Sequence, residues 1–411
     1  MSKKFSDVAM NEHSKFEKAT QRQEKLYSRK NDMRTEFGRD YTRILHSLAY
    51  RRLKHKTQVF FNTHNDHICT RMEHVAHVES ISYTIAKELG LNVELTKAIS
   101  TGHDLGHAPF GHQGESIISN LANKYLNNSF WHEKNGLRVV DKLELLEDNT
   151  GNYTNLNLTY AVRDGIICHC GEVDENGIIP RKEEENIELN SIKNPGEVQP
   201  YTWEGCVVKI ADKIAYLGRD IGDAILLNII TDEDIRDLKN MAQKYRYETI
   251  NTSVIIHELM NDLVENSSIT DGICFSKEKL DFMNDIKQFN YKSIYNSNKL
   301  KYYKEYAKLI IESIFEELYK YYGENLEDTI GNLQKNLDVR EKLLIKDFKE
   351  WIIKYCDEDS VGNYSINQKT NNSKIYGKLD TNFIYIEAII DYISGMTDSY
   401  AIKCFNELIS F

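Results

Sequence analysis

The chain has 411 residues, 41% of them apolar, enough to bury a large core and to form two or three domains. Acidic residues outnumber basic ones by 63 to 52, and the net charge of -11 argues against a sequence-blind nucleic-acid binder with its basic face. A small anionic substrate is not excluded, because a metal ion and a few local arginines outweigh distant carboxylates screened over about 10 Å. The seven cysteines stand at irregular positions, which reads as reduced thiols in a cytoplasmic protein. The first residues lack an apolar h-region and no run of about 18 apolar residues occurs, so a soluble chain without membrane spans is expected. Only four prolines occur (Pro109, Pro180, Pro195 and Pro200), and the long stretches around them carry few helix breakers. An all-α fold is predicted.

Residues 1–35 are polar and read as an arm. From Arg39 to Phe61 the apolar residues Ile44, Leu45, Leu48, Ala49 and Leu53 recur at helical spacing, with Arg43, Arg51, Arg52, Lys54 and Lys56 on other faces. Arg71 to Gly90 makes an amphipathic helix with Val75, Val78, Ile81, Ile85 and Leu89 inward and Gly90 as C-cap. His74 lies on or beside that inward face. Leu95 to Leu105 reads as a second helix ending in the adjacent pair His103 and Asp104, and a third opens near Gly111. Seven of the thirteen histidines fall between His64 and Gln113, an enrichment that packing does not require. Imidazole and carboxylate together suit a divalent first-row metal, and His107, His112 and Glu115 follow within one turn or two. His112 and Glu115 stand at i and i+3, so a carboxylate can fix the imidazole's tautomer and raise its basicity.

His132, beside Trp131, is a candidate second proton-relay residue. Asn157 to Cys170 is a short helix whose ending, Cys168–His169–Cys170, reads as two buried thiols because a lone CxC lacks the partners of a zinc site. Residues 172–202 hold three of the four prolines and a charge run at Arg181–Glu185, and read as a loop or insertion, a candidate lid or interface. From Glu204 to Ile225 the stripe Val207, Ile210, Ala211, Ile214, Ala215 and Leu217 is buried, and Asp212 sits against it. A buried carboxylate is costly unless paired or metal-bound, which makes Asp212 a candidate ligand. Helices are predicted at 235–265, 277–289, 299–322, 340–356 and 380–409. The aromatic and lysine interleaving at 291–322 reads as a packed, solvated helix rather than a nucleic-acid platform.

The set of Arg71 with His74, then His103–Asp104, then Asp212 resembles the HD phosphohydrolase superfamily. Five blocks in order, RDYTRILHSLAYRRLKHKTQVF, RMEHVAHV, HDLGHAPFGHQGE, ADKIAYLGRDIGDA and DYISGMTDSYA, resemble its deoxyguanosinetriphosphate triphosphohydrolase branch over about residues 39–401. That resemblance implies an all-α core, residues 36–235, preceded by the 1–35 arm and followed by a C-terminal helical region, 236–411, packed on it. It implies hydrolysis of a deoxynucleoside triphosphate to the deoxynucleoside and intact triphosphate. Carried over by residue, His74, His103, Asp104 and Asp212 match ligands of one divalent ion, Mn2+ or Mg2+. His112 and Glu115 match the catalytic pair, with His132 and His107 beside them. Arg71 and Lys213 match phosphate contacts, Tyr216 and Asp220 face the sugar, and Gln58 falls near sugar and base. A homo-oligomer with a second nucleotide as allosteric effector fits the same resemblance; single-stranded DNA is not indicated. Two departures stand out: the long charged 172–202 segment, and Arg219 where a histidine often precedes the matching aspartate. An HD phosphomonoesterase acting on deoxynucleoside monophosphates and a nucleotide-sensing or nucleic-acid-binding regulator are the alternatives.

Overall fold

The apolar stripes fold as helices in the computed structural model, which describes residues 4–11, 13–27, 30–60, 65–170, 176–182, 187–340, 342–357 and 370–410. At the centre, Arg71–Leu89 starts at a capping box, where Thr70 and Glu73 satisfy each other's backbone N–H, and stops at Gly90. Its buried face, with Val75, Val78, Ile81, Ile85 and Leu89, packs against the helices Val93–Gly102 and Trp203–Leu226. Each such side chain, fully buried, contributes about 1.5–3 kcal/mol. Asn92 caps Val93–Gly102 and Thr202 caps Trp203–Leu226, so all three helices begin at a polar side chain that accepts orphan N–H groups. Tyr160–Cys168 packs on Val93–Gly102 from the far side. The fold is all-α, with one short antiparallel ribbon of Leu145–Glu147 and Tyr153–Asn155 among the described residues.

The buried apolar residues form two clusters. The first takes in the central helices, the start of the chain and the helices up to Leu300. The second joins Phe110, Ile117, Ile118 and Leu121 to helices between Ala307 and Phe405. The helix Gly111–Leu126 therefore belongs with the C-terminal helices, although it follows the histidine turn directly. That division puts the turn from His103 to Phe110 at the seam between the two clusters.

Several boundaries differ from the sequence expectation. The first residues are packed rather than loose: Phe5, Met10 and Ala19 are buried, and the Phe5 ring meets Trp203 edge-on at 4.9 Å. The Arg39–Phe61 pattern is broken at Ser47, whose extended backbone ends Glu36–His46 and whose hydroxyl caps Leu48–Arg52. The break shifts the helical phase, so Leu48 is exposed; Arg43, before the break, and Lys56, after the helix, are buried. Phe61 and His64 lie outside the described residues. The expected 235–265 helix is two, Asp232–Lys244 and Thr252–Asn266, and 380–409 is likewise Asn382–Ser394 and Asp398–Ile409. A helix at Leu326–Val339, capped by Asn325, was not expected. Within 172–202, residues 172–175 and 183–186, which hold most of the charge run, lie outside the described residues. The described parts lie against the core: Ile178 bridges to Ile273, and Arg181, Leu189 and Ile192 are buried. The seven cysteines are all free thiols, and no helix among the described residues is long and apolar enough to cross a membrane.

Candidate active site

Capping at Thr70 sets Arg71 and His74 in the first turn of their helix, three apart and on one face. The Val93–Gly102 helix stops just before His103, so His103 and Asp104 sit in the turn beyond it rather than inside a helix. His74 Nε2 is 2.9 Å from Asp212 Oδ1 and 3.7 Å from Asp104 Oδ2. His103 donates from Nδ1 to the Ser100 carbonyl at 2.6 Å, which turns Nε2 toward Asp104 Oδ1 at 3.6 Å and Asp212 Oδ1 at 3.8 Å. His74, His103, Asp104 and Asp212, from three separate segments, thus converge.

This group fits one divalent cation. His103 Nε2 is buried without a hydrogen-bond partner, which is unfavourable for a lone pair unless something binds it. Burial opposes charge on Asp104, yet His103, His107 and Arg71 around it hold its carboxyl well below the usual range. Burial likewise opposes charge on Asp212, and the hydrogen bond with His74 wins and lowers it. Two carboxylates and two imidazoles are a donor set for a first-row metal or magnesium. The donors in His74, His103 and Asp104 lie within 4.8 Å of one another, as do those in His103, His169 and Asp212.

The other histidines form a second layer. Gly106 lets the turn touch the helix His132–Arg138: a Cβ at Gly106 would stand 2.1 Å from the His132 carbonyl oxygen. The His107 ring consequently stacks on His132, with centroids 3.9 Å apart, while its Nε2 meets Asp104 Oδ1 at 3.2 Å. Burial, with Arg71 and His132 close by, pushes His107 well below the ordinary imidazole range. Glu115 does not serve His112 alone. Its carboxylate accepts from the His132 backbone N–H at 2.8 Å and lies 3.1 Å from His132 Nδ1, against 3.5 Å from His112 Nδ1. Burial opposes a charged His132, but Glu133 and Glu115 together hold its pKa up at about 10. Burial opposes ionisation of Glu115 in turn, and His132 and His112 lower it well below the usual value. His112 is the exposed member, its side chain 61% accessible.

A cavity of about 320 Å³ opens over these groups. Its wall includes His74, Asp104 and Asp212, then His107, His112 and His132, then Arg71, Lys213, Tyr216, Asp220 and Gln58. His103 and Glu115 are not in the wall; each acts on residues that are. Arg71 is buried and already engaged, donating to Asp104 Oδ2 and to the Gln58 carbonyl at 3.0 Å each. Gln58 Oε1 is buried with no hydrogen-bond partner. Asp220 is pushed up to about 6 by burial, against the lowering effect of a hydrogen bond from Tyr295.

The sequence reading missed part of this wall. His169, given no role between the two buried thiols, lines the cavity, as does Glu133. So do Tyr291, Tyr295, Tyr303 and Lys304, from the aromatic stretch read as a solvated helix. A tyrosine repeat at 291, 295 and 303 near a lysine was the available signal, but nothing local says which cavity it faces.

The HD domain family model matches residues 71–217, the span that carries the four donors. Deoxyguanosinetriphosphate triphosphohydrolase-like proteins match most of the chain. The one from Caldanaerobacter subterraneus subsp. tengcongensis is 34% identical over 380 residues, 92% of this chain and 86% of the relative. That from Rickettsia canadensis is 32% identical over 392 residues, 92% and 94% of the two chains, and that from Desulfatibacillum aliphaticivorans 37% over 300 residues, 72% and 75%. The HD domain and the converging His and Asp donors together support a metal-dependent phosphohydrolase. The chain belongs to the deoxyguanosinetriphosphate triphosphohydrolase-like family of HD-domain proteins.

Proposed function

We propose that the protein is a metal-dependent deoxynucleoside triphosphate triphosphohydrolase that cleaves dGTP by preference into deoxyguanosine and inorganic triphosphate. One observation carries the reading: a single cavity wall combines the His/Asp cluster, an exposed imidazole beside a carboxylate, two cationic side chains and a Tyr–Asp pair one helical turn apart. The names of the relatives favour dGTP within the deoxynucleoside triphosphates.

A divalent ion held by His74, His103, Asp104 and Asp212, for which Mn2+ and Mg2+ suit the carboxylate-rich set, would polarise a phosphoryl oxygen and acidify water. Water adds at the α-phosphorus and the bond to the 5′-oxygen breaks, so a proton must reach that oxygen as it departs. His112 supplies it, a role supported by its exposure to the cavity and by Glu115 at 3.5 Å. His132, held charged by Glu133 and Glu115, and the neutral His107 stacked on it set the electrostatic field behind His112. Lys213 and Arg71 balance the charge of the phosphate chain, Arg71 while steadying Asp104. Tyr216 and Asp220, four apart on one helix, line the cavity and would hydrogen-bond the sugar, where a tight wall would select against a 2′-hydroxyl, and Gln58 offers an unpaired Oε1 to sugar or base.

The test is product identity. With Mn2+ or Mg2+, each deoxynucleoside triphosphate is incubated and the phosphorus products are resolved by 31P NMR. Triphosphate in equal amount to deoxynucleoside is expected, with dGTP turned over fastest. Orthophosphate from dGMP, with no triphosphate from any deoxynucleoside triphosphate, would replace this reading by a phosphomonoesterase.

A further inference from the structure

His103 and His169 are built by the same local device on two packed helices. Each stands one residue beyond the end of its helix, His103 after Val93–Gly102 and His169 after Tyr160–Cys168, with backbone still near the helical region. Each turns Nδ1 back to a carbonyl three residues earlier, Ser100 for His103 and Ile166 for His169, both at 2.6 Å. Each leaves Nε2 buried with no hydrogen-bond partner. The helices approach closely because Gly165 has no side chain: a Cβ there would stand 2.6 Å from Ile99 Cγ2. The two rings therefore meet edge to face, centroids 5.0 Å apart, and the donors of His103, His169 and Asp212 fall within 4.8 Å of one another.

We propose that His169 is a further protein ligand of the metal centre, joining His74, His103, Asp104 and Asp212 around the same divalent ion. The proposal rests on the metal-centre reading above and adds a residue to it. A histidine whose Nδ1–H is fixed by a carbonyl presents Nε2 as a directed lone pair, the usual arrangement of a ligating imidazole. Were His169 only a packing residue, its Nε2 would be a buried acceptor left unsatisfied, and His103 would repeat the same defect beside it. Two nitrogens on opposite sides of an ion at about 2.1 Å stand about 4.2 Å apart. The donors of His103, His169 and Asp212, within 4.8 Å of one another, stand close to that spacing. Cys168 and Cys170, the flanking thiols, are buried free cysteines.

The experiment counts imidazoles on the ion. The full-length protein is loaded with Mn2+, and electron spin echo modulation from coordinated imidazole nitrogen is recorded with Mn2+ affinity measured by calorimetry. The parent is expected to show three imidazoles, from His74, His103 and His169. His169→Gln is expected to show two and to bind Mn2+ about 10-fold or more weakly, while His107→Gln keeps three. Two imidazoles in the parent, or an unchanged count in His169→Gln, overturns the assignment of His169 and leaves the four-residue centre standing. A parent that binds no Mn2+, Mg2+ or other first-row divalent ion overturns the metal-centre reading and this inference with it. The parent count does not depend on any variant folding.

Discussion

The Tyr295 hydroxyl donates to Asp220 Oδ2 at 2.5 Å, joining two residues that are 75 positions apart in the chain. Asp220 comes from the long Trp203–Leu226 helix that also carries Asp212, and Tyr295 from the turn that follows Lys277–Asn290. One side of the cavity is therefore closed by tertiary packing rather than by the helix that bears the donors. The contact leaves Asp220 Oδ1 buried without a partner, an acceptor suited to a hydroxyl of an incoming sugar.

Asp220 makes stability depend on pH in a direction opposite to that of a salt-bridged carboxylate. Its pKa is about 6 in the folded protein against 3.8 as the ordinary value, so between about pH 4 and 6 the folded state keeps a proton that the unfolded state has released. Stability must then fall as pH rises through that window and level off above it. A shift of this size corresponds to roughly 3 kcal/mol. Asp220→Asn removes the ionisation. Urea unfolding at pH 4, 5, 6 and 7 is expected to show the variant gaining on the parent up to about pH 6 and then holding its lead. A constant difference over the whole range would mean that Asp220 ionises normally.

Arg181 tests whether the 172–202 segment is anchored. The sequence places it in a charge run, but its side chain is buried, 2.5 Å from Asp164 Oδ2, and donates to the Tyr160 hydroxyl and the Gln199 carbonyl at 2.8 Å each. Arg181→Ala leaves Asp164, within the helix Tyr160–Cys168, as an unpaired buried charge, and a loss of about 3–5 kcal/mol is expected. A solvated loop arginine would change stability by within about 0.5 kcal/mol. Denaturant titration of the two proteins separates these outcomes.

Asp398 ties the C-terminal helices to the histidine turn. Its carboxylate accepts from the Phe110 and Thr57 backbone N–H groups at 2.9 and 3.0 Å. Phe110 holds a left-handed φ of 65°, a strained conformation that aims the helix bearing His112. Asp398→Ala removes the acceptor from the buried Phe110 N–H, at about 1–3 kcal/mol, and from the half-buried Thr57 N–H, and frees the turn. Turnover is expected to fall about 10-fold or more with metal affinity unchanged, because misplacing a catalytic group by about 1 Å can cost 100-fold. Asp398→Asn keeps one acceptor oxygen and recovers part of the loss. Equal turnover in all three proteins would separate the C-terminal region from the chemistry.

The candidate donor set was legible because its residues conflict with packing. Asp212 on an apolar stripe, and adjacent His103 and Asp104 about 100° apart on any helix, need a reason beyond the core. His169 was not legible, since its meaning depends on His103 repeating the same geometry on a neighbouring helix, and periodicity carries no record of which helices touch. Tyr295, Tyr303 and Lys304 were hidden for the same cause. The pairing of Glu115 was half legible: the i+3 spacing to His112 shows in the sequence, whereas the closer approach of His132 arises from Gly106, which lets two backbone segments meet. Leu48 was misread because Ser47, as a cap, restarts the helical phase.

His112 is the sharpest test of the chemistry, because the residues around it differ in what their loss should do. It stands in the cavity wall, and it is outside the group His74, His103, Asp104 and Asp212 that is proposed to hold the ion. His112→Ala is therefore expected to lower kcat by about 10²–10⁴-fold with the bound-metal content of the parent. Asp212→Ala should instead lose the metal, taking His74 and His103 out of register. Glu115→Gln touches both His112 and His132, so it should match His112→Ala in kcat and, in addition, lower the pKa of His132 from about 10, visible by NMR of the ring protons. Should His112→Ala turn over dGTP at the parental rate, the proton for the departing 5′-oxygen must come from another group, and the half-buried His132, held protonated by Glu133 and Glu115, is the nearest replacement.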